Sequence, residues 1–249
     1  IGAEKGGIIK QRTPVVIGPQ EPPVRTVLLA RAAAKAARAY LWERDFEAVS
    51  MGRTFSYRGP RTALEDLHPA LLGRHQHANL AMSLCAAELV REAGYPVPDA
   101  ALRTGVETVC WPGRLEWWRG LRRVLLDGAH NGAGARVLGA YLEAEGIDGI
   151  HWVLGIKWDK DAGEILAPIL PRCRALYCTV AREETFIDPH HLAAEGSRNG
   201  VASEAFADPE AAFRAAMQRR REGETILVAG SLFIVGAVRE VLEMMELKP

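Results

Sequence analysis

An acid, a glycine, a histidine and an amide stand close together at Asp127–Asn131, within the run LLDGAHNGAG from Leu125 to Gly134. An apolar stretch that breaks into such residues reads as a buried strand delivering polar groups to its carboxyl end. Open parallel sheets hold their ligands at that end. A carboxylate at Asp127 can accept hydrogen bonds from ribose hydroxyls. The free N–H groups and dipole of the following helix favour an anion near His130 and Asn131. A plainer alternative has Asp127 and Asn131 only capping that helix, and the residues alone leave both readings open. More specialised chemistries fail on spacing. A dinucleotide fingerprint would follow Gly132 and Gly134 with a third glycine, but Val137 stands there and no acid closes the next strand. No Walker-type phosphate loop occurs in these residues, and Ser231 in AGSLF lacks a nucleophile elbow.

The elements that must carry these residues change in kind along the chain. TPVVIG (13–18) reads as a short buried strand, and 24–40 as an Ala-rich helix with Leu28, Leu29, Ala32, Ala36 and Ala39 at helical spacing. TFSYRG alternates like an exposed strand before the Gly59-Pro60 turn. Helices are expected over 78–93 and from Pro98-Asp99 to about Val109. After WPGR (111–114) strand and helix alternate. Strands are expected at LEWW, RRVLLDGA, IHWVLGI, RALYCTV, VASEAF and TILVAG, and helices over 132–145, 161–169, 188–198, 208–221 and 231–245. Such alternation predicts a doubly wound, mostly parallel α/β sheet covered on both faces. Asp161, Asp208 and Ser231 are the expected caps of the helices they precede. Residues 1–109 and 110–249 are the expected domains.

Bulk properties exclude several classes. Of the 249 residues, 48% are hydrophobic, enough for one large or two modest cores. Lys and Arg total 31, as do Asp and Glu, so no basic field exists to hold nucleic acid or an anionic membrane. No apolar run reaches the roughly 18 residues of a membrane helix; LAMSLCAAELV is broken by Glu88. Cys85, Cys110, Cys173 and Cys178 lack a zinc-like pairing and read as reduced core thiols of a cytoplasmic protein. The cluster Trp111, Trp117 and Trp118 reads as packing, and the run Arg219–Arg221 as a solvated helix end. The first residues, IGAEKGGIIK, show neither methionine nor a secretion signal, so residues preceding Ile1 are expected.

PGRLE (112–116) followed by LLDGAHN (125–131) resembles the folylpolyglutamate synthase/dihydrofolate synthase branch of the Mur ligase superfamily. EKGGIIK (4–10), GRHQHAN (73–79), DKD (159–161) and VAGSLFIVG (228–236) fit the same pattern in the same order. The resemblance implies that 110–249 is a Rossmann-like glutamate ligase domain and 1–109 the remaining part of an α/β, P-loop-type central ATPase domain. The family's P-loop half is absent from these residues. So is the histidine that precedes the EK motif and helps hold magnesium. Gly6 replaces an alanine, and Gly132 stands where proline is usual.

The implied reaction is ATP-dependent ligation in one-carbon metabolism, with Mg2+: an acyl phosphate forms on dihydropteroate or a folate, and L-glutamate's amine attacks it. The resemblance places Arg114 on the ATP phosphates, a task its planar guanidinium suits. Asp127 is placed on the ribose, and His130 near the phosphates or the incoming glutamate, as a catalytic candidate. Asn79 and Gln76 match the adenine-side amides; at i and i+3 they share a helix face and can both donate and accept. His75 and His77 are expected to be capping or exposed. Asp159 and Lys160 are expected on the ATP or glutamate side, and Ser231 on substrate. Each also has a bland reading: a surface arginine, a polar helix start, a solvated loop, a cap. In the family the counterpart of Lys5 is carbamylated and becomes a metal ligand, which requires the unprotonated amine. Lys5 here is expected as a plain ammonium beside Glu4. A monomer is expected, and these residues alone should not turn over ATP. The alternatives are a Mur-type ligase for another carboxylate acceptor and a non-catalytic nucleotide-binding domain.

Overall fold

Apolar strands bounded by capped helices make the second part of the chain a layered sheet, while the first part builds its core differently. The computed structural model describes residues 2–121, 123–182 and 184–246. Two compact units result, Ile1–Cys110 and Trp111–Pro249.

In the first unit, α1 (Gly2–Lys5) precedes β1 (Val15–Ile17), α2 (Pro22–Ala34) and β2 (Ala39–Leu41), with β1 and β2 paired in parallel. The helix expected to reach Tyr40 therefore stops at Ala34. Ala36 takes a left-handed backbone (φ 49°), and 39–41 leave as a strand. Alanine carries little directional information, so its spacing could not mark the end. Next come β3 (Glu47–Met51), β4 (Thr54–Arg58) and β5 (Ala63–Leu67), an antiparallel sheet with β4 in the middle. β4 is not an exposed strand: Phe55 and Tyr57 are fully buried against α3 (His75–Glu92) and α4 (Asp99–Thr108).

In the second unit β6 (Glu116–Trp117), β7 (Val124–Leu126), β8 (Ile150–Leu154), β9 (Cys173–Cys178), β10 (Ala202–Ala205) and β11 (Ile226–Ala229) form one sheet of order β10-β9-β8-β11-β7-β6. All pairings are parallel except β6 with β7. Arg122, at the expected start of the RRVLLDGA strand, lies outside the described residues. α5 (Gly132–Ala144), α6 (Ala162–Leu166) and α7 (Pro189–Arg198) pack on one face through Leu138, Ile165 and Leu192. α8 (Pro209–Arg219) and α9 (Leu232–Glu246) cover the other through Phe213, Val238 and Leu242. Progression runs outward from β7 to β8, β9 and β10, then doubles back to insert β11 between β7 and β8. Right-handed crossovers put the helices of the outward and returning legs on opposite faces. The carboxyl ends of β7, β11 and β8 consequently meet at the reversal, the usual ligand position of an open α/β sheet.

All four cysteines are free, but only Cys85 and Cys178 are fully buried, and Cys110 is exposed. Burial pushes the Cys85 and Cys178 thiols up to about 12, and raises Cys173 as well. Alkylation at pH 8 should therefore modify Cys110 quickly and the other three only after unfolding, as counted by mass spectrometry. Rapid labelling of Cys85 in the folded chain would contradict this packing.

Candidate functional site

β7 ends at Leu126, so Asp127 is the first residue beyond a fully buried strand and is itself only 8% exposed. Its carboxylate does not cap α5. Oδ1 accepts the Ala129 N–H at 2.8 Å, and Oδ2 accepts the Leu115 N–H at 2.9 Å. The cap is Asn131, whose side chain accepts the Gly134 N–H at 2.8 Å. Burial pushes the Asp127 carboxyl above its ordinary value, against the opposing pull of the two amides, Arg114 and His130.

The Asp127–Leu115 bond splices the segment 112–116 onto the rim of the sheet. A second strut joins the same segments, Gly128 N–H to Gly113 C=O at 2.7 Å. Arg114 is half-buried, and its guanidinium lies where Gly128 has no side chain. A Cβ at 128 would stand 2.5 Å from Arg114 Nη1 and 2.6 Å from Leu232 Cδ2. Arg114 donates no hydrogen bond among the described residues. A cation held over bare backbone, beside a buried acid and the start of a 13-residue helix, can bind an anion.

His130 is half-buried with Nδ1 2.8 Å from the Gly128 carbonyl, so Nδ1 carries the proton in that contact. Gly132 has a steric reason: a Cβ there would approach the Cβ of Glu164 to 2.9 Å. On the adjacent strand, Gly230 N–H donates to Ala129 C=O at 2.8 Å. Ser231 is buried and its Oγ accepts the Phe233 N–H at 3.2 Å, capping α9 as expected.

Asp159 and Lys160 sit beyond β8 and bind each other at 2.7 Å. That hydrogen bond from Lys160 holds the Asp159 carboxyl below its ordinary value. Asp161 caps α6 through the Glu164 N–H at 3.0 Å. Lys157, which the sequence did not single out, lies at the same strand end, paired with Glu184 at 2.9 Å and 6.0 Å from the Phe233 ring centre.

In the first unit, Gln76 and Asn79 occupy the first turns of α3 and are joined directly, Asn79 Nδ2 donating to Gln76 Oε1 at 3.0 Å. Gln76 is buried while Asn79 is exposed. His77 is neither capping nor exposed. It is buried, stacked on Phe55 at 4.9 Å and 2.7 Å from Ser50 Oγ. Burial, then the Arg74 charge, lowers its affinity for a proton. Lys5 and Glu4 form an ion pair of 3.3 Å with both side chains 71% exposed. No group of three His, Cys, Asp or Glu able to hold a metal occurs among the described residues. Lys5 and its surroundings do not by themselves make a metal site.

Glu116, read in the sequence only as the end of PGRLE and given no role of its own, opens β6 and turns back onto the segment before it. Its Oε2 accepts the Gly113 N–H at 2.7 Å, and Arg239 contacts it at 3.4 Å.

Residues 113–232 match the family described as Mur ligase, glutamate ligase domain. The chain is 28% identical to a dihydrofolate synthase/folylpolyglutamate synthase of Bacillus subtilis, over 98% of this chain and 58% of that protein. A Mycobacterium tuberculosis folylpolyglutamate synthase complexed with ADP superposes with a TM-score of 0.85 at 30% identity, covering 96% of this chain and 58% of that one. Escherichia coli FolC in complex with DHPP and ADP gives 0.83 at 25% identity, covering 98% and 56%. The chain thus spans somewhat over half the length of the relatives it matches.

Proposed function

We propose that this chain, which belongs to the folylpolyglutamate synthase/dihydrofolate synthase branch of the Mur ligase superfamily, acts in an ATP-dependent ligase that adds L-glutamate to dihydropteroate or folates. The single observation that carries the reading is the apposition of Arg114, Gly128 and Asp127 at the reversal of the sheet order. A free guanidinium over bare backbone suits the phosphates of the nucleotide that the similar structures bind.

In the reaction a carboxylate oxygen of the acceptor attacks the γ-phosphorus of ATP, and the bond to the β-phosphate oxygen breaks to release ADP. The amine of glutamate then attacks the acyl carbon. Inorganic phosphate leaves, the amine loses a proton, and an amide remains. Arg114 offsets charge gathering on the phosphoryl oxygens, a role that only positioned donors fulfil. His130 follows Gly128 by two residues, and its contact with the Gly128 carbonyl engages Nδ1 and not Nε2. It is placed for the phosphates or the incoming amine. Asn79, exposed and braced by the buried Gln76, is the amide offered to the base, and Asp159, Lys160 and Ser231, which follow the strand ends, are the candidates for glutamate. Mg2+ would accompany ATP in this chemistry and offset charge on its phosphates; the described residues hold no group of three His, Cys, Asp or Glu to complete its ligand set.

The test is an ATP- and glutamate-dependent assay of the full-length enzyme with dihydropteroate and a folate as separate acceptors. Formation of ADP together with a glutamylated product is expected with at least one. ATP cleavage without amide formation on either acceptor would defeat the assignment. Gly128→Ala probes the carrying observation. The new methyl meets only the flexible ends of Arg114 and Leu232, so stability should change by less than about 1 kcal/mol. ATP binding should weaken about tenfold as the guanidinium is pushed aside, measured by calorimetry. Unchanged affinity would separate Arg114 from the nucleotide.

A further inference from the structure

On the ligase function proposed above, we infer that the Lys157 ammonium binds a carboxylate of the incoming L-glutamate, and that Glu184 is its resident competitor, which the substrate displaces.

Lys157 stands just beyond β8, on a stretch pressed against the one that leads to Ser231. A Cβ added at Gly230 would lie 2.6 Å from the Gly155 carbonyl oxygen, so the two segments leave the adjacent strands β8 and β11 side by side. Phe233, whose N–H donates to Ser231 Oγ, places its ring centre 6.0 Å from Lys157 Nζ. Leu232 reaches the other way, to the bare face of Gly128 where the Arg114 guanidinium lies. Leu232 and Phe233 are 47% and 40% exposed, although Ile234 and Val235 directly after them are buried. Arg114, Leu232, Phe233 and Lys157 thus form one row along the sheet rim, with a cation at each end and apolar surface between. L-glutamate beside an acyl phosphate has the matching form. Its methylenes would lie on Leu232 and Phe233, the phosphoryl group toward Arg114 and a carboxylate toward Lys157.

The backbone around Lys157 is tied down. Ile187 N–H donates to Ile156 C=O at 2.9 Å and Trp158 N–H to Thr185 C=O at 3.2 Å, on either side of a bridge between Lys157 and Phe186. Glu184 comes from the same tied segment, and its carboxylate meets Lys157 Nζ at 2.9 Å. The side chain of Glu184 is the side chain of the substrate, so Lys157 already holds the chemical group in question. The two side chains are 29% and 34% exposed, and ion pairs open to water contribute little net stability. Glutamate therefore replaces Glu184 at small cost. One carboxylate exchanges for another, and the displaced side chain enters water.

Steady-state kinetics of the full-length enzyme test this with Lys157→Ala, Glu184→Gln and the two combined, varying L-glutamate at saturating ATP and acceptor. Lys157→Ala should raise KM for glutamate about tenfold, the loss expected for one charge-assisted hydrogen bond. Glu184→Gln should lower it about two- to fivefold, the range over which an exposed ion pair can compete. The double variant should match Lys157→Ala within about twofold, because the two residues act through one contact. KM for ATP should stay within about twofold of the parent in all three, since the loss is of glutamate binding alone. The opposite signs are diagnostic. An ion pair that only staples the loop would shift KM for glutamate the same way in both single variants, or not at all, and either result overturns the inference. So does a Glu184→Gln gain that survives in the double variant, which would be plain repulsion of an anion by an acid. Absence of glutamate-dependent turnover in the parent would bring down the proposed function and this inference together, whereas parental turnover with unmoved KM values strikes Lys157 alone.

Discussion

Arg114→Ala in the full-length enzyme should lower kcat for glutamate addition by about 10²–10³-fold, the usual cost of deleting one preorganised donor to developing charge. The expectation follows from placement rather than residue type. The guanidinium donates no hydrogen bond among the described residues, lies over Gly128 within electrostatic reach of Asp127, and is flanked by backbone hydrogen-bonded on both sides. Such a group breaks no internal hydrogen bond when a phosphoryl group arrives. The loss should fall on kcat and kcat/KM alike if Arg114 meets charge that develops only in the transition state, whereas a loss confined to KM would indicate uniform binding. Arg114→Lys should recover little, since an ammonium cannot reproduce two parallel N–H donors. Steady-state kinetics with ADP release as the readout decide the matter, and turnover within threefold of the parent would remove Arg114 from the chemistry.

The largest effect on stability is expected from Glu88→Ala, about 2–4 kcal/mol, the cost of stranding donors that a buried carboxylate satisfies. Glu88 is 2% exposed within α3 and its carboxylate serves three donors: Tyr57 O–H at 2.6 Å, Arg61 N–H at 2.9 Å and Thr62 N–H at 3.1 Å. The latter two belong to the turn joining β4 to β5. One side chain therefore ties the antiparallel sheet to the helix that covers it. Burial, with the hydrogen bond to Glu88, pushes the Tyr57 phenol far above its ordinary value, so Tyr57 stays a neutral donor throughout the working range of pH. Alanine would orphan the buried Tyr57 hydroxyl, at a cost of about 1–3 kcal/mol, and strip the two part-buried turn amides of their acceptor. Denaturant unfolding followed by fluorescence should show a lower midpoint for the first unit, with the second unit's transition unmoved. A midpoint shift worth less than about 1 kcal/mol would show that water replaces the carboxylate at little cost.

Glu88 also shows where sequence reasoning stops. In LAMSLCAAELV it served only to rule out a membrane helix, because a single acid in an apolar run gives no hint of partners 26–31 residues away. β3 and β5 went unread for a related reason. EAVSM and ALEDL mix charge with few apolar residues, since Val49 and Met51 face solvent and β5 buries only Leu64 and Leu67. His77 looked like part of a polar helix start, yet the helix begins at His75 and turns it onto Phe55.

Local chemistry was legible wherever its partner lay within a few residues. Asp161, Asp208 and Ser231 cap the helices that follow them, and all six strands of the second unit fall where apolar runs meet turn residues. Short-range hydrogen bonds and burial periodicity are properties of a segment, so the order of residues is enough to specify them. What Asp127 bonds to and what Arg114 rests on are decided by segments a dozen or more residues apart, closed against one another by the packed sheet. Those contacts exist only after the chain has given up its conformational entropy to the core, and no spacing in the sequence records them.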